Sequence, residues 1–124
     1  MLQLILKRKW FDMIADGIKT EEYREIKPYY LHRLFEDYWG KKIDEKFIKD
    51  PHFFNKFKRQ VNNLKNDPLP VFKYKHDDVM FYHGYATDRD KMCCGIESIT
   101  IGEGNPEWGA EPGKEYFIIK LKKK

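Results

Sequence analysis

Four polar residues that could do chemistry follow one another closely near the start of the chain: Lys19, Thr20, Glu22 and Arg24. Lysine and arginine bind phosphate or carbonyl oxygens, and a glutamate accepts a proton from a hydroxyl or a hydrogen bond from a nucleobase. In a strand, alternate side chains share a face, which puts Thr20, Glu22 and Arg24 together and Lys19 on the other face. The side chain of Lys19 can reach the same site as that of Glu22 only if Lys19 lies where the strand begins.

The elements that position these residues are a helix and a strand joined at Gly17. Glycine adopts a positive φ freely, so it suits the position just after a helix. The apolar residues of Lys9–Asp16 cluster on one side of that helix: Trp10, Phe11, Met13 and Ile14. Charges on the strand behind it are costly to bury unless they pair or meet a ligand. The alternative is an edge strand with solvated charges and an internal Glu22–Arg24 pair.

The segment Lys9–Arg24 resembles the GxKxxExR signature of the ASCH domain family, which belongs to the PUA-like superfamily. Two later blocks, Phe81–Tyr85 and Ile101–Gly109, are similar to a bacterial or phage branch of that family. The resemblance runs from Leu2 to about Leu121, except for the middle of the chain. It implies an α+β domain with a PUA-like small β-barrel of about five or six strands, about three helices, and a cleft that the signature strand faces. The family binds RNA or modified nucleosides; some relatives are ribonucleases, and one hydrolyses the amide of an N-acetylated cytidine.

The resemblance also bears on catalysis. In the acetylcytidine amidohydrolases, the lysine of the signature is catalytic and a threonine three residues later is the nucleophile. Lys19 matches that lysine, but Glu22 occupies the threonine position. Thr20 lies two residues earlier on the same strand face, which displaces its hydroxyl by ~6–7 Å and disrupts the geometry of acyl transfer. Amide hydrolysis by a water that Glu22 activates is still an alternative. So is RNA cleavage, with Glu22 as the general base and with Lys19 and Arg24 bound to the phosphate.

Binding requires less than catalysis, and we expect a pocket for RNA or a modified nucleoside centred on the signature strand. The expected ligand-binding residues are Lys19, Thr20, Glu22, Arg24, Tyr23, Tyr82 and His83. The tyrosines would stack on bases, with ordinary core packing as the alternative. The first alternative function is an enzyme on the same cleft, a metal-independent ribonuclease or nucleoside amidohydrolase, with Lys19 and Glu22 as catalytic residues.

The composition predicts a single domain over residues 1–124, since 124 residues with 41% hydrophobic and 35% charged content can bury one core. A net charge of +4 permits contact with nucleic acid without requiring it. Basic clusters occur at Lys7–Lys9, Lys56–Arg59 and Lys120–Lys124, where solvated lysines are the plainer interpretation.

Metal, cofactor and membrane signals are lacking. The histidines have no ligand spacing, and Cys93 and Cys94 are adjacent, so we expect no metal and two free thiols. Glycines 102 and 104 are not part of a dinucleotide motif, so no cofactor is expected. Without a signal peptide or ~20 consecutive apolar residues, we expect a cytoplasmic protein of a bacterium or an infecting phage, with no membrane contact.

The remaining elements follow from apolar spacing. A helix is predicted from Pro28 to Gly40, because Leu31, Leu34, Phe35 and Tyr38 recur at helical intervals. Strands are predicted at Leu2–Lys7, Val71–Tyr74, Val79–Tyr85, Lys91–Ile101 and Glu115–Leu121, with Gly95 marking a bulge.

Residues 41–67 are expected to form a helical insertion, with a helix from about Pro51 to Lys65. Its basic residues, Lys56, Arg59 and Lys65, either flank a nucleic-acid groove or are simply solvated. The second alternative function is a protein-interaction module, which would leave an exposed stripe of Phe53, Phe54 and Phe57 on this helix.

Overall fold

The computed structural model describes residues 1–84 and 90–123. The strands within these ranges are β1 (Leu2–Leu6), β2 (Glu21–Arg24), β3 (Phe35–Asp37), β4 (Phe72–Tyr74), β5 (Asp78–His83), β6 (Lys91–Glu103) and β7 (Glu115–Leu121). The helices are α1 (Arg8–Ala15), α2 (Pro28–Leu34), α3 (Lys46–Lys49) and α4 (Pro51–Asn62), with one-turn 3₁₀ helices at Leu64–Asn66 and Pro106–Trp108.

Five strands form one sheet in the order β1-β5-β6-β7-β2, with β1 parallel to β5 and the other neighbours antiparallel. The long strand β6 pairs with β5 through its first half and with β7 through its second. Although β1 and β2 are the two ends of the sheet, Arg24 Nη2 on β2 lies 3.2 Å from the carbonyl oxygen of Ile5 on β1. The sheet therefore curls into a half-barrel, and the predicted barrel-like α+β fold is confirmed.

The core lies inside this curl, where alternate residues of the strands face inward. Leu2, Leu4 and Leu6 of β1 are buried, whereas Gln3 and Ile5 are not. Helix α4 covers the core with Phe57 and Val61. The largest fully buried aromatic residues are Phe35, Phe57, Phe81 and Phe117.

The side chain of Asn62 at the end of α4 fixes that helix to β6. Its Nδ2 donates to the carbonyl oxygen of Ile101 at 3.0 Å, and its Oδ1 accepts from the Ile101 amide at 2.7 Å. The ladder between β5 and β6 ends at Gly95, so this part of β6 has β7 on one side. Asn62 supplies on the other side the two hydrogen bonds that a neighbouring strand would make.

The predicted helix from Pro28 to Gly40 is wrong in its second half. Helix α2 ends at Leu34, and Phe35 is extended, with φ −131° and ψ 156°. Phe35–Asp37 pairs with Phe72–Tyr74 instead, so these residues gain ladder hydrogen bonds in place of helical ones. Only Tyr38 required the longer helix, and Tyr38 is exposed.

A bulge or bend was predicted at Gly95, and the register shift of β6 lies just after it, between Ile96 and Ser98. A Cβ at Gly95 would lie 2.9 Å from Cδ of the flexible Lys122 side chain, and the Lys122 amide donates to the Gly95 carbonyl. Strand β6 runs on to Glu103, two residues beyond the prediction. Tyr85, the predicted end of β5, lies outside the described residues.

The insertion is helical as predicted, but α4 ends at Asn62 and the short helix α3 was not foreseen. The phenylalanines of α4 do not form an exposed stripe. Phe57 is fully buried, Phe54 packs against the core, and Phe53 is half-buried with its ring 5.9 Å from that of Phe47. Because this apolar face is used within the chain, α4 lacks the surface that a protein-interaction module on it would need.

Candidate functional site

The turn after α1 decides where Lys19 points. Gly17 has φ +77°, and the amides of Ile18 and Lys19 both donate to the carbonyl oxygen of Met13, at 2.9 and 3.0 Å. This closure places Lys19 and Thr20 before β2 rather than within it. Strand alternation does not apply to Lys19, and its side chain meets that of Glu22 as the sequence permitted.

Glu22 lies between two cations in the interior. Its Oε1 is 3.2 Å from Lys19 Nζ and its Oε2 is 3.1 Å from Arg24 Nη2, and the Tyr23 amide donates to Oε1 at 3.0 Å. Lys19 is 1% exposed and Glu22 6%. Mutual pairing offsets the loss of hydration of these charges. The solvated-edge interpretation is therefore wrong for Lys19 and Glu22, although β2 does lie at a sheet edge and the Glu22–Arg24 pair is present.

Lys19 holds the loop that follows β6. Its Nζ donates to the carbonyl oxygen of Trp108 at 2.9 Å and lies 4.7 Å from the ring centroid of Tyr23 and 5.3 Å from that of Trp10. Burial lowers the pKa of Lys19 from its usual 10.5, and the Glu22 carboxylate opposes that shift. The side chain has no exposed surface, so it contributes to this site by supporting other groups.

Tyr23 holds the same loop. Its hydroxyl donates to Glu21 Oε1 at 2.8 Å and accepts from the Asn105 amide at 2.9 Å. Gly104 allows the close approach, since a Cβ there would lie 2.7 Å from the Tyr23 ring. Burial raises the pKa of Tyr23 well above its usual 10. The ring packs inside the protein, so the core alternative applies to Tyr23 in place of base stacking.

Arg24 reaches from β2 to the opposite end of the sheet. Besides Glu22, its Nη2 donates to Ile5 O at 3.2 Å, and Nη1 lies 3.5 Å from the Tyr30 hydroxyl. Its Nε is buried and has no hydrogen-bond acceptor among the described residues. Arg24 lines an open cleft beside β1.

The cleft has a volume of about 650 Å³ and lies between β1, the start of α2 and the end of β5. It is lined by residues 3–7, Arg24, Tyr29, Tyr30, Arg33, His83 and Gly84. The lining contains three permanent cations, Lys7, Arg24 and Arg33, and no carboxylate among the residues that the structure describes. A charge distribution of this kind attracts anions.

Each arginine of the cleft lies beside a tyrosine. The guanidinium carbon of Arg33 is 5.3 Å from the Tyr29 ring centroid, and that of Arg24 is 5.7 Å from the Tyr30 ring. Arg33 also donates to the Tyr29 hydroxyl and to the carbonyl oxygen of Gln3, both at 2.6 Å. The Tyr29 ring stands on edge against Tyr30 and is largely exposed.

Sequence reasoning missed Tyr29, Tyr30 and Arg33 as site residues. The signal was present, because Pro28 begins a helix four residues after Arg24. A helix that begins so soon after Arg24 keeps its first turns within reach of that side chain.

His83 lies at the rim of the cleft, as predicted. Arg8 Nη2 is 3.1 Å from His83 Nδ1 and donates to Asp90 at 2.8 Å. Since a guanidinium only donates, Nδ1 is the acceptor and the ring proton is assigned to Nε2. Tyr82 precedes His83 on β5, alternates with it, and does not line the cleft.

The remaining predicted residue, Thr20, lies on a different surface. It lines a cavity of about 820 Å³ with Lys19, the end of α1 and Lys120, Lys122 and Lys123. The structure therefore brings Thr20 and Lys19 together at this cavity, whereas Arg24 lines the cleft beside β1 and Glu22 lines neither. The first strand residue is Glu21, so the register that was assumed for Thr20 does not hold.

Among residues 1–84 and 90–123, no group of three or more His, Cys, Asp or Glu side chains is arranged to hold a metal ion. In the same ranges no helix has the length and apolar content to cross a membrane. Cys93 is exposed and Cys94 buried, both as thiols, as their opposite strand faces predicted.

Comparisons with protein-family models, with curated proteins and with solved structures gave no match to this chain. The ASCH resemblance therefore rests on the signature segment and the two later blocks of the sequence, Phe81–Tyr85 and Ile101–Gly109.

Proposed function

We propose that the chain binds RNA or a modified nucleoside in the cleft between β1 and α2. The observation that carries this proposal is the pairing of Arg24 with Tyr30 and of Arg33 with Tyr29 on a wall whose described residues include no carboxylate. The volume of the cleft falls within the range of about 300–1,000 Å³ that is common for ligand pockets.

The groups that face the cleft are mainly hydrogen-bond donors. The guanidinium groups of Arg24 and Arg33, the ammonium of Lys7 and the Nε2–H of His83 all donate. A ligand rich in acceptors, such as a phosphate or the carbonyl edge of a base, complements such a set. Tyr29 offers an exposed ring on which a base can stack.

The geometry favours binding over catalysis by Glu22. A general base must lie within hydrogen-bond reach of the ligand. Glu22 is almost fully buried, contacts Lys19 and Arg24, and does not line the cleft. We assign Glu22 the role of holding Arg24 in place, and we assign Lys19 the role of holding Glu22.

The test is binding and product analysis in the same metal-free samples, with single-stranded RNA and with N-acetylated cytidine. Arg33→Gln and Tyr29→Ala are expected to weaken RNA binding about ten-fold each. Arg33→Gln should also lower the slope of log affinity against log salt by about one. Lys56→Gln, on the exposed face of α4, is the charge control and should change affinity little.

Two outcomes would replace the proposal. If product forms and disappears in Glu22→Gln, the cleft is that of an enzyme. If RNA binds equally to wild type, Arg33→Gln and Tyr29→Ala, the ligand does not occupy this cleft.

A further inference from the structure

A rigid turn displays two aromatic rings just after β3. Asp37 Oδ1 accepts from the amides of Trp39 and Lys41, at 2.9 and 2.8 Å, and the Gly40 amide donates to the Asp37 carbonyl at 3.0 Å. Gly40 has φ +79°, which permits the tight reversal. Three hydrogen bonds to one residue fix the backbone of the turn before any ligand arrives.

The rings on this turn are exposed. Trp39 is 78% exposed and Tyr38 is 58% exposed. Their centroids are 5.7 Å apart and their planes meet at 85°, which forms a corner with one face of Trp39 open. The Tyr38 amide donates to Val71 O at 3.0 Å, so the segment before β4 supports this corner.

Two lysines follow the rings, in a segment that also contains Glu36, Asp37 and Asp44. Lys41 and Lys42 follow directly, are exposed, and form no ion pair within the described part of the chain. The nearby carboxylates have other partners: Asp37 holds the turn amides, Glu36 pairs with Lys73 at 3.6 Å, and Asp44 accepts from the Lys46 amide. We call Tyr38, Trp39, Lys41 and Lys42 the Trp39 platform.

We propose that the Trp39 platform is a second contact for single-stranded RNA, with a base stacked on Trp39 and phosphates on Lys41 and Lys42. This inference rests on the proposed function, because it takes the ligand to be a polymer that also enters the cleft. Aromatic rings beside cations are the combination that binds single strands without sequence preference.

One RNA strand can reach both the cleft and the Trp39 platform. Helix α2 carries Arg33 in the cleft, the three-residue strand β3 joins it to the turn, and Trp39 comes six positions after Arg33. Their Cα atoms are therefore at most about 20 Å apart. Joining two contacts on one strand raises affinity through effective concentration, which a mononucleotide cannot exploit.

The experiment compares uridine monophosphate with an oligouridylate of about twelve nucleotides, within the span of known single-strand sites. We expect the oligonucleotide to quench tryptophan fluorescence in wild type and not in Trp39→Phe, because Trp10 and Trp108 are half-buried. Trp39→Ala should weaken the oligonucleotide about ten-fold and leave the mononucleotide unchanged. Lys41→Gln with Lys42→Gln should lower the salt slope by about two.

Leu69→Ala is the matched control, since Leu69 is an exposed apolar residue in the loop before β4 and has neither an aromatic ring nor a charge. Unchanged affinity of Trp39→Ala for the oligonucleotide overturns the inference. If Leu69→Ala and Trp39→Ala lose affinity for the oligonucleotide equally, and the wild-type protein self-associates in sedimentation, the inference is also overturned. The surface around Trp39 and Leu69 would then be an interface between two copies of the chain. If Arg33→Gln does not weaken oligonucleotide binding while Trp39 fluorescence is still quenched, the cleft proposal fails. The Trp39 platform then stands as a contact on its own.

Discussion

The Arg24 guanidinium on β2 donates to the carbonyl oxygen of Ile5 on β1 across 3.2 Å, which joins the two end strands of the half-barrel. Arg33 makes the corresponding bond to Gln3, two residues earlier on the same strand. An edge strand with open carbonyls invites pairing with other chains, and these arginines occupy that edge. Closure of the sheet and the donor set of the cleft thus depend on the same two side chains.

Arg24→Met should destabilise the fold by about 2–4 kcal/mol, because it removes the bond to Ile5 and leaves Glu22 with one cation instead of two. The comparison is Arg33→Met, which loses a bond of the same kind to Gln3 but contacts no buried carboxylate; about 0.5–1.5 kcal/mol is expected. Urea unfolding measures both. Equal losses would show that the Glu22 pair contributes nothing to stability.

The sequence predicted the fold more fully than the site. The last strand was predicted with its observed bounds, Glu115–Leu121, because its short apolar run, Tyr116–Ile119, is aromatic and β-branched. The end of α2 was missed because Leu31, Leu34 and Phe35 fit a helix that stops at Leu34 as well as one that continues. Only the distant pairing with β4 decides between the two, and local spacing contains no information about it.

The site shows the same limit. Local spacing identified the pairing of Glu22 with Arg24, which lie two residues apart, and allowed that of Lys19 with Glu22. It could not show that Trp108 would accept from Lys19, or that Asn105 would donate to Tyr23, since those partners lie more than 80 residues away. These remote contacts make Lys19 and Tyr23 structural, and they leave Arg24 as the signature residue at the cleft.

Lys19→Met should cost about 3–5 kcal/mol, since it breaks a buried ion pair and removes the bond to Trp108. The control is Lys9→Met: Lys9 also lies over the Trp10 ring, at 4.8 Å, but is exposed, so its change should be within about 0.5 kcal/mol. Adding Glu22→Gln to Lys19→Met should deepen the loss, because Arg24 then keeps its charge without the Glu22 carboxylate. A double variant as stable as Lys19→Met alone would contradict the pairing argument.

Stability should fall with rising pH above pH ~10. Burial raises the pKa of Tyr23 and of Tyr74, so the unfolded chain loses these protons first and binds fewer protons than the folded chain. Lys19 acts in the opposite direction, because its lowered pKa makes the unfolded state bind more protons. That opposing contribution is complete once the unfolded lysine has titrated near 10.5, and only the tyrosines act above it.

The measurement is unfolding at a series of pH values together with the ultraviolet absorbance of phenolate. Tyr23→Phe should make the alkaline decline shallower by up to about 1.4 kcal/mol per pH unit. The phenolate absorbance of Tyr23 and of Tyr74, taken as wild type minus Tyr23→Phe or minus Tyr74→Phe, should appear only as the protein unfolds. Its appearance in the folded state near pH ~10 would contradict the assignment.

Asn62 offers a test of how β6 keeps its shape beyond the ladder with β5. Asn62→Ala loses both hydrogen bonds to Ile101 and should destabilise by about 1–3 kcal/mol, with faster hydrogen exchange at the Ile101 amide. Asn62→Asp keeps the acceptor but sets a carboxylate against the Ile101 carbonyl oxygen, so the loss should be larger at neutral pH than at pH ~3, where the acid can donate. Asn63→Ala, at the adjacent exposed position, is the control. Similar stability of Asn62→Asp at both pH values, relative to wild type, would mean that the donated hydrogen bond to Ile101 does not hold the strand.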